Sequence, residues 1–93
     1  MPATRRLEDL ISVGPAILRD FELLGVRNVS HLAKQNPIRL YQKLCKITGQ
    51  RIDVCCLDGF QAAVAQARDP LLPAEKCQWW YWSRLRKENH AKK

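Results

Sequence analysis

The five residues Ser12-Val13-Gly14-Pro15-Ala16 form the stretch of this 93-residue chain best suited to chemistry. They join two apolar-periodic segments at a short bend, and the second segment stops at Leu24-Gly25-Val26. A bend of this kind aims free backbone N–H groups outward at the start of a helix, where the helix dipole adds positive potential. Such a cluster of donors holds anions, and in a small basic domain the expected anion is a nucleic-acid phosphate. Gly14 is expected to take a backbone conformation that a side chain would resist, and Pro15 suits the first turn of the helix it opens. The candidate contacts are the main chain at Ser12, Val13, Gly14 and Ala16, with Arg19 one turn later and Arg27 as a nearby cation. The competing reading is architectural: the bend packs two helices together and grips nothing.

A second candidate surface is the run Trp79-Trp80-Tyr81-Trp82, which contains all three tryptophans. Stacking a base on an aromatic ring contributes about 1–3 kcal/mol and tolerates any base. Beside Arg84, Arg86 and Lys87, the run could be a platform for single-stranded nucleic acid, or an apolar patch for a protein partner. Against both stands packing, because a small helical domain needs bulky side chains to seal its core. Four consecutive aromatics cannot all point inward. Trp79 and Trp82, or Trp80 alone, are expected in the core, and the surface group is drawn from Trp80, Tyr81 and Trp82.

The other reactive side chains are scattered. Cys45, Cys55, Cys56 and Cys77 form no C-x-x-C pair, so they read as small apolar side chains rather than a zinc ribbon. An irregular metal site with His31 or His90 is the alternative, and neither a metal nor another cofactor is expected. Asp53 reads as a helix cap, while Asp58 either faces solvent or pairs with a base such as Arg51. No nucleophile–base constellation and no glycine-rich phosphate loop is present, so the protein is not expected to be an enzyme or to act on a small molecule.

These groups must be positioned by helices, because no stretch alternates with the period of a strand. Thr4 can cap a first helix whose face is Leu7, Leu10 and Ile11. Ile17, Leu18, Phe21 and Leu24 face the core from the second, which Gly25 ends. Ser30 caps a short segment bearing Val29 and Leu32. Asn36-Pro37 opens a helix with core face Leu40, Tyr41, Leu44 and Ile47, and Gly49 closes it. Asp53 then caps a helix over 54–68 whose stripe is Leu57, Phe60, Val64 and Ala67. Its Gly59 and alanines leave a lean surface for close helix approach.

Charge sharpens the picture. The net charge is +7. Residues 84–93 set five cations against Glu88, an excess of +4, and the rest of the chain carries +3. That division predicts one domain over 1–83 and a basic, mobile tail over 84–93, able to attract a polyanion at low salt or simply to aid solubility. No apolar run approaches the ~20 residues that cross a bilayer, and MPATRRLEDL lacks the apolar segment of a secretion signal. A cytoplasmic protein without membrane association is expected.

The bend resembles the helix-hairpin-helix motif of DNA repair and replication proteins, whose turn reads hydrophobic-x-Gly-hydrophobic-Gly. Val13 and Gly14 match its last two positions. Ser12 stands in place of the first glycine, and Ala16 where a Lys or Arg is common. Over residues 5–83 the chain also resembles a small bacterial family named for a pathogenicity locus, some of whose members are labelled mitomycin-resistance proteins. The resemblance runs in order through Val13-Gly14-Pro15-Ala16, Leu24-Gly25-Val26, Val29-Ser30-His31-Leu32, Asn36-Pro37, Leu40-Tyr41, Leu44-Cys45 and Thr48-Gly49. It continues through Asp53-Val54-Cys55-Cys56-Leu57-Asp58, Phe60, Ala63-Val64 and the aromatic run, with Val54 where the family commonly has proline. It implies a helix-hairpin-helix fold and no defined activity.

Together these readings predict an all-α, compact bundle of five or six short helices with an N-terminal helix-hairpin-helix motif. The expected function is non-catalytic, sequence-independent DNA binding, linked to DNA damage or mitomycin resistance. The alternative is a protein–protein adaptor that uses the aromatic run.

Overall fold

Side-chain caps and glycine stops set most of the helix boundaries. A computed structural model of the chain describes residues 5–91. Helix α1 spans Pro15–Leu24 and closes at Gly25, whose φ of +76° is the left-handed conformation a C-terminal stop favours. Helix α2 spans Val29–Ala33, capped by the Asn28 side chain, which accepts the His31 N–H at 2.8 Å. Ser30, expected as that cap, therefore lies inside the helix. Helix α3 runs Pro37–Thr48 behind Asn36, whose Oδ1 accepts from the Ile38 and Arg39 amides at 2.9 and 3.3 Å. Helix α4 runs Val54–Arg68 behind Asp53, whose Oδ1 accepts the Cys55 N–H at 2.9 Å. Helix α5 spans Trp79–Ala91, and short 3-10 turns occupy Leu7–Asp9 and Ala74–Cys77. No strand occurs among the described residues, so the fold is all-α as expected.

The sequence reading gave a first helix before the bend; only the single 3-10 turn Leu7–Asp9 forms there. Leu10 is buried, but Ile11 is exposed, so the i, i+3, i+4 face does not persist. Thr4, the expected cap, lies outside the described residues. The far end of the chain departs in the opposite direction, since the residues assigned to a tail continue helix α5 as far as Ala91. The physical reason is Arg86, whose guanidinium reaches back to a carboxylate in the core.

Helix α4 is the hub, packed against α2, α3, α5 and the Ala74–Cys77 turn. Its buried residues, among them Gly59, Phe60, Ala62, Ala63 and Val64, wrap around most of its circumference. A helix enclosed on nearly all sides needs small residues where neighbours come close. Gly59 is the clearest case, because a Cβ there would lie 2.8 Å from Ile17 Cδ1 of α1. At the centre, Phe21 and Phe60 are fully buried and stack with centroids 5.4 Å apart at 27°. Leu24, Leu32, Leu40 and Leu44 complete this core. The face predicted for α3 holds at Leu40 and Leu44 but not at Ile47, which is 47% exposed where the helix outruns the core. Tyr41 is half-buried and its hydroxyl donates to the Ile52 carbonyl.

Two polar side chains on α4 are buried and fully engaged. The Gln66 amide clasps the main chain of Ile11, with Nε2 donating to its carbonyl at 2.7 Å and Oε1 accepting its N–H at 2.9 Å. The same Nε2 also reaches the Ala62 and Cys77 carbonyls at 3.2 and 3.4 Å. Asp58, 1% exposed, receives both arms of the Arg86 guanidinium at 3.0 and 3.1 Å. Gln66 thus fixes the chain entering the bend, and Asp58 fixes α5. Helix α4 thus anchors both the bend and the helix that carries the aromatic run.

Candidate nucleic-acid interface

The bend at Ser12–Gly14 distributes its strain differently from the expectation. Ser12 carries the positive φ, +70°, and it occupies the place of the motif's first glycine. A left-handed conformation costs a residue with a Cβ on the order of 1–2 kcal/mol. Two contacts hold it: Ser12 Oγ accepts the Trp79 N–H at 3.1 Å, and the preceding residue is clasped by Gln66. Gly14 has φ −94° and ψ −177°, extended backbone that any residue can adopt.

Gly14 also has no packing reason to lack a side chain. A Cβ built on it meets nothing within 4 Å, and the residue is exposed. Helix α1 begins there without a side-chain cap and with no acidic residue in its first turn. The Leu18 N–H donates to the Gly14 carbonyl at 3.0 Å, starting the helical ladder. The amides of Gly14, Ala16 and Ile17 take part in no hydrogen bond among the described residues. Val13 differs, being buried with its N–H donating to the Leu10 carbonyl at 3.3 Å. It is therefore not among the open donors, whereas the Ser12 amide has no partner among the described residues and its hydroxyl is taken by Trp79.

The two arginines assigned to this bend are separated. Arg19 is exposed on α1, one turn past Pro15. Arg27 lies beyond the opposite end of α1, about 15 Å of helix away at 1.5 Å per residue. There it lines a cleft of about 750 Å³ with Arg5, Arg6, Glu8 and Glu22, so it does not belong to the site at Gly14.

None of the three tryptophans enters the core, contrary to the expectation for Trp79 and Trp82 or for Trp80. Trp79 and Trp80 are 44% and 43% exposed. Tyr81 and Trp82 are half-buried and meet edge-on at 5.5 Å, and the Trp82 indole N–H donates to the Lys76 carbonyl at 2.8 Å. The Phe21–Phe60 pair already fills the centre, which leaves the tryptophans at the margin. Arg84 lies 5.4 Å above the Trp80 ring and also meets Glu75 at 3.2 Å.

Among the described residues, no three Cys, His, Asp or Glu side chains come together as a metal site. All four cysteines are free thiols, and only Cys77 is buried. Burial and the Asp20 carboxylate, 3.6 Å from the sulfur, push the Cys56 thiol up to about 12. The Cys55 amide and thiol stabilise the Asp53 carboxylate, lowering its pKa and raising that of Cys55. Asp58 pairs with Arg86 rather than Arg51, and this bridge raises the pKa of the guanidinium. His90 lies where side chains are outside the description. The signal for Gln66 and Asp58 was their polarity on an otherwise apolar helix, though nothing in the spacing named their partners.

The fold and its open bend define a small all-helical domain with an uncapped helix start beside an exposed aromatic groove. The chain belongs to the Cdd1 family, described as Pathogenicity locus, whose profile matches residues 2–88. It is 37% identical over 81 residues to the mitomycin resistance protein McrB of Streptomyces lavendulae, covering 87% of this chain and 73% of that protein. No solved structure matches the chain. Among the described residues, no helix is long and apolar enough to cross a membrane.

Proposed function

We propose that this protein is a non-catalytic, sequence-independent DNA-binding module that grips a backbone phosphate at the start of α1. The observation that carries the reading is Gly14. Neither its backbone angles nor its surroundings require glycine, yet the helix start is left without a capping side chain, and the Gly14 and Ala16 amides have no partner among the described residues. A phosphate fits donors of this kind and gains from the dipole behind them. Arg19 supplies a cation one turn away, and the net charge of +7 supplies longer-range attraction. The name of the Streptomyces relative extends the proposal to a role in mitomycin resistance.

Fluorescence anisotropy with a short labelled duplex at two ionic strengths tests this. Wild-type affinity falls as salt rises, and Gly14→Glu weakens binding by at least roughly tenfold, because a carboxylate then occupies the phosphate position. The thermal midpoint barely moves, since the new side chain points into open space. Undiminished binding by Gly14→Glu overturns the reading. Loss of binding only on neutralising Lys92 and Lys93 would reduce it to diffuse attraction by the chain end.

A further inference from the structure

We propose that the groove at the start of α5 takes an unpaired nucleobase, stacked on Trp79 and Trp80, with the adjoining phosphate on Arg84 and Lys87. The inference rests on the DNA binding proposed above and adds the form of the nucleic acid, with unpaired strand preferred over duplex.

The groove encloses about 540 Å³ between Trp79, Trp80, Ser83, Arg84 and Lys87 of α5 and Cys55 of α4, with Glu88 at its end. The α5 residues recur at helical spacing, so one face of the helix presents rings at its start and cations one and two turns on. Two adjacent tryptophans left more than two-fifths exposed represent large apolar faces still available for burial. Planar rings bordered by cations complement a base with its phosphate, and Arg84 already sits over Trp80 as a guanidinium does in stacked arrangements. Arg84 is shared with Glu75 at 3.2 Å, a solvent-exposed pair that a phosphate can displace, and with Lys87 it favours a polyanion over an apolar protein segment.

Position supports the assignment. The Trp79 amide is bonded to Ser12 Oγ, so the start of α5 lies against the bend. A strand held at the Gly14 and Ala16 amides can therefore run on toward the start of α5. In a duplex a base is paired and stacked on its own neighbours, and the rings cannot reach its face without unstacking it.

The test uses the full chain with a labelled oligothymidylate and a duplex of equal length, read by anisotropy and by quenching of tryptophan emission. Wild type binds the single strand more tightly and its emission is quenched. Trp80→Ala loses roughly tenfold on the single strand with little change on the duplex. Trp80→Phe, which keeps a ring, retains most of the affinity and controls for folding, alongside unchanged thermal melts. Gly14→Glu weakens both substrates. The groove proposal fails if Trp79→Ala/Trp80→Ala leaves the single-strand affinity unchanged, or if both substrates weaken equally. It stands alone, and the bend reading fails, if only the tryptophan variants lose binding. Absence of wild-type binding to either oligonucleotide removes both proposals and leaves the rings to a protein partner.

Discussion

Helices α1 and α4 begin in opposite ways, and the contrast separates what this fold needs for itself from what it leaves open. At α4, Asp53 folds its carboxylate over the first turn and accepts the Cys55 N–H. Asn36 does the same for α3 with two amides, and Asn28 for α2. At α1 the corresponding position is Gly14, which offers no side chain, and its first-turn donors have no hydrogen-bond partner among the described residues. Three of the five starts are completed by their own side-chain caps, and at α5 the first amide is taken by Ser12 Oγ. The start of α1 is held rigid from behind, by Gln66 on Ile11 and by Ser12 against Trp79. A rigid but incomplete helix start is the arrangement that an external anion can complete at little ordering cost.

The largest effect should come from removing the support behind the open start. Gln66→Leu strands the N–H and carbonyl of Ile11 without their partner, and is expected to destabilise the fold by about 2 kcal/mol. It should also weaken DNA binding, since the bend is no longer fixed; urea denaturation and anisotropy read the two effects. A stable variant that binds normally would show that the bend holds itself.

Next come the closed starts. Asp53→Ala or Asn36→Ala should each cost about 1 kcal/mol in urea denaturation, with DNA affinity unchanged. A loss of affinity in either would mean that the open start is not special.

Closing the open start gives the inverse pattern. Gly14→Ser adds the missing cap on backbone angles that accept it, and should raise stability by a few tenths of a kcal/mol. DNA affinity should fall severalfold as the hydroxyl occupies the first-turn amides. A simultaneous gain in stability and affinity would break the comparison.

The smallest effect reports on the covered side of α1, where Asp20 meets Cys56 of α4. The folded protein keeps the Cys56 proton up to about 12, whereas the usual thiol value is 9.0. Between those values the unfolded chain releases a proton that the folded one retains, so this group makes stability fall as pH rises through that window. Below it the contribution is constant. At pH 8, Cys56 should react with a thiol reagent far more slowly than in the urea-unfolded chain. Equal rates would mean that the α1–α4 seam is open.

The elements whose signals are local were legible in the residues. Asn36-Pro37, Asp53, Gly25 and Gly49 each mark a boundary through a neighbour one to three residues away, and each does so in the structure. The Phe21, Phe60, Leu40 and Leu44 faces followed from helical spacing. What spacing could not convey was contact across the chain. Gln66 meets Ile11, Arg86 meets Asp58, and Ser12 meets Trp79, pairings with separations of 55, 28 and 67 residues. For that reason Arg86 read as part of a charged tail, and Asp58 as an acid that faces solvent or pairs with a base such as Arg51. Trp79 and Trp82, or Trp80 alone, read as core because their size argues for burial, but two phenylalanines had already closed the centre. At the bend, the glycine pattern pointed to Gly14 as the strained residue. Ser12 carries that strain, leaving Gly14 with an absent side chain that serves no internal purpose.

The central claim is that the start of α1 is where DNA is held. Titrating the ¹⁵N-labelled protein with a short oligonucleotide, and following each backbone amide by NMR, tests it directly. The account predicts that the Gly14, Ala16 and Ile17 amides shift most, with the amides at the starts of α3 and α4 barely moving. Saturable binding that leaves those three resonances in place would contradict it.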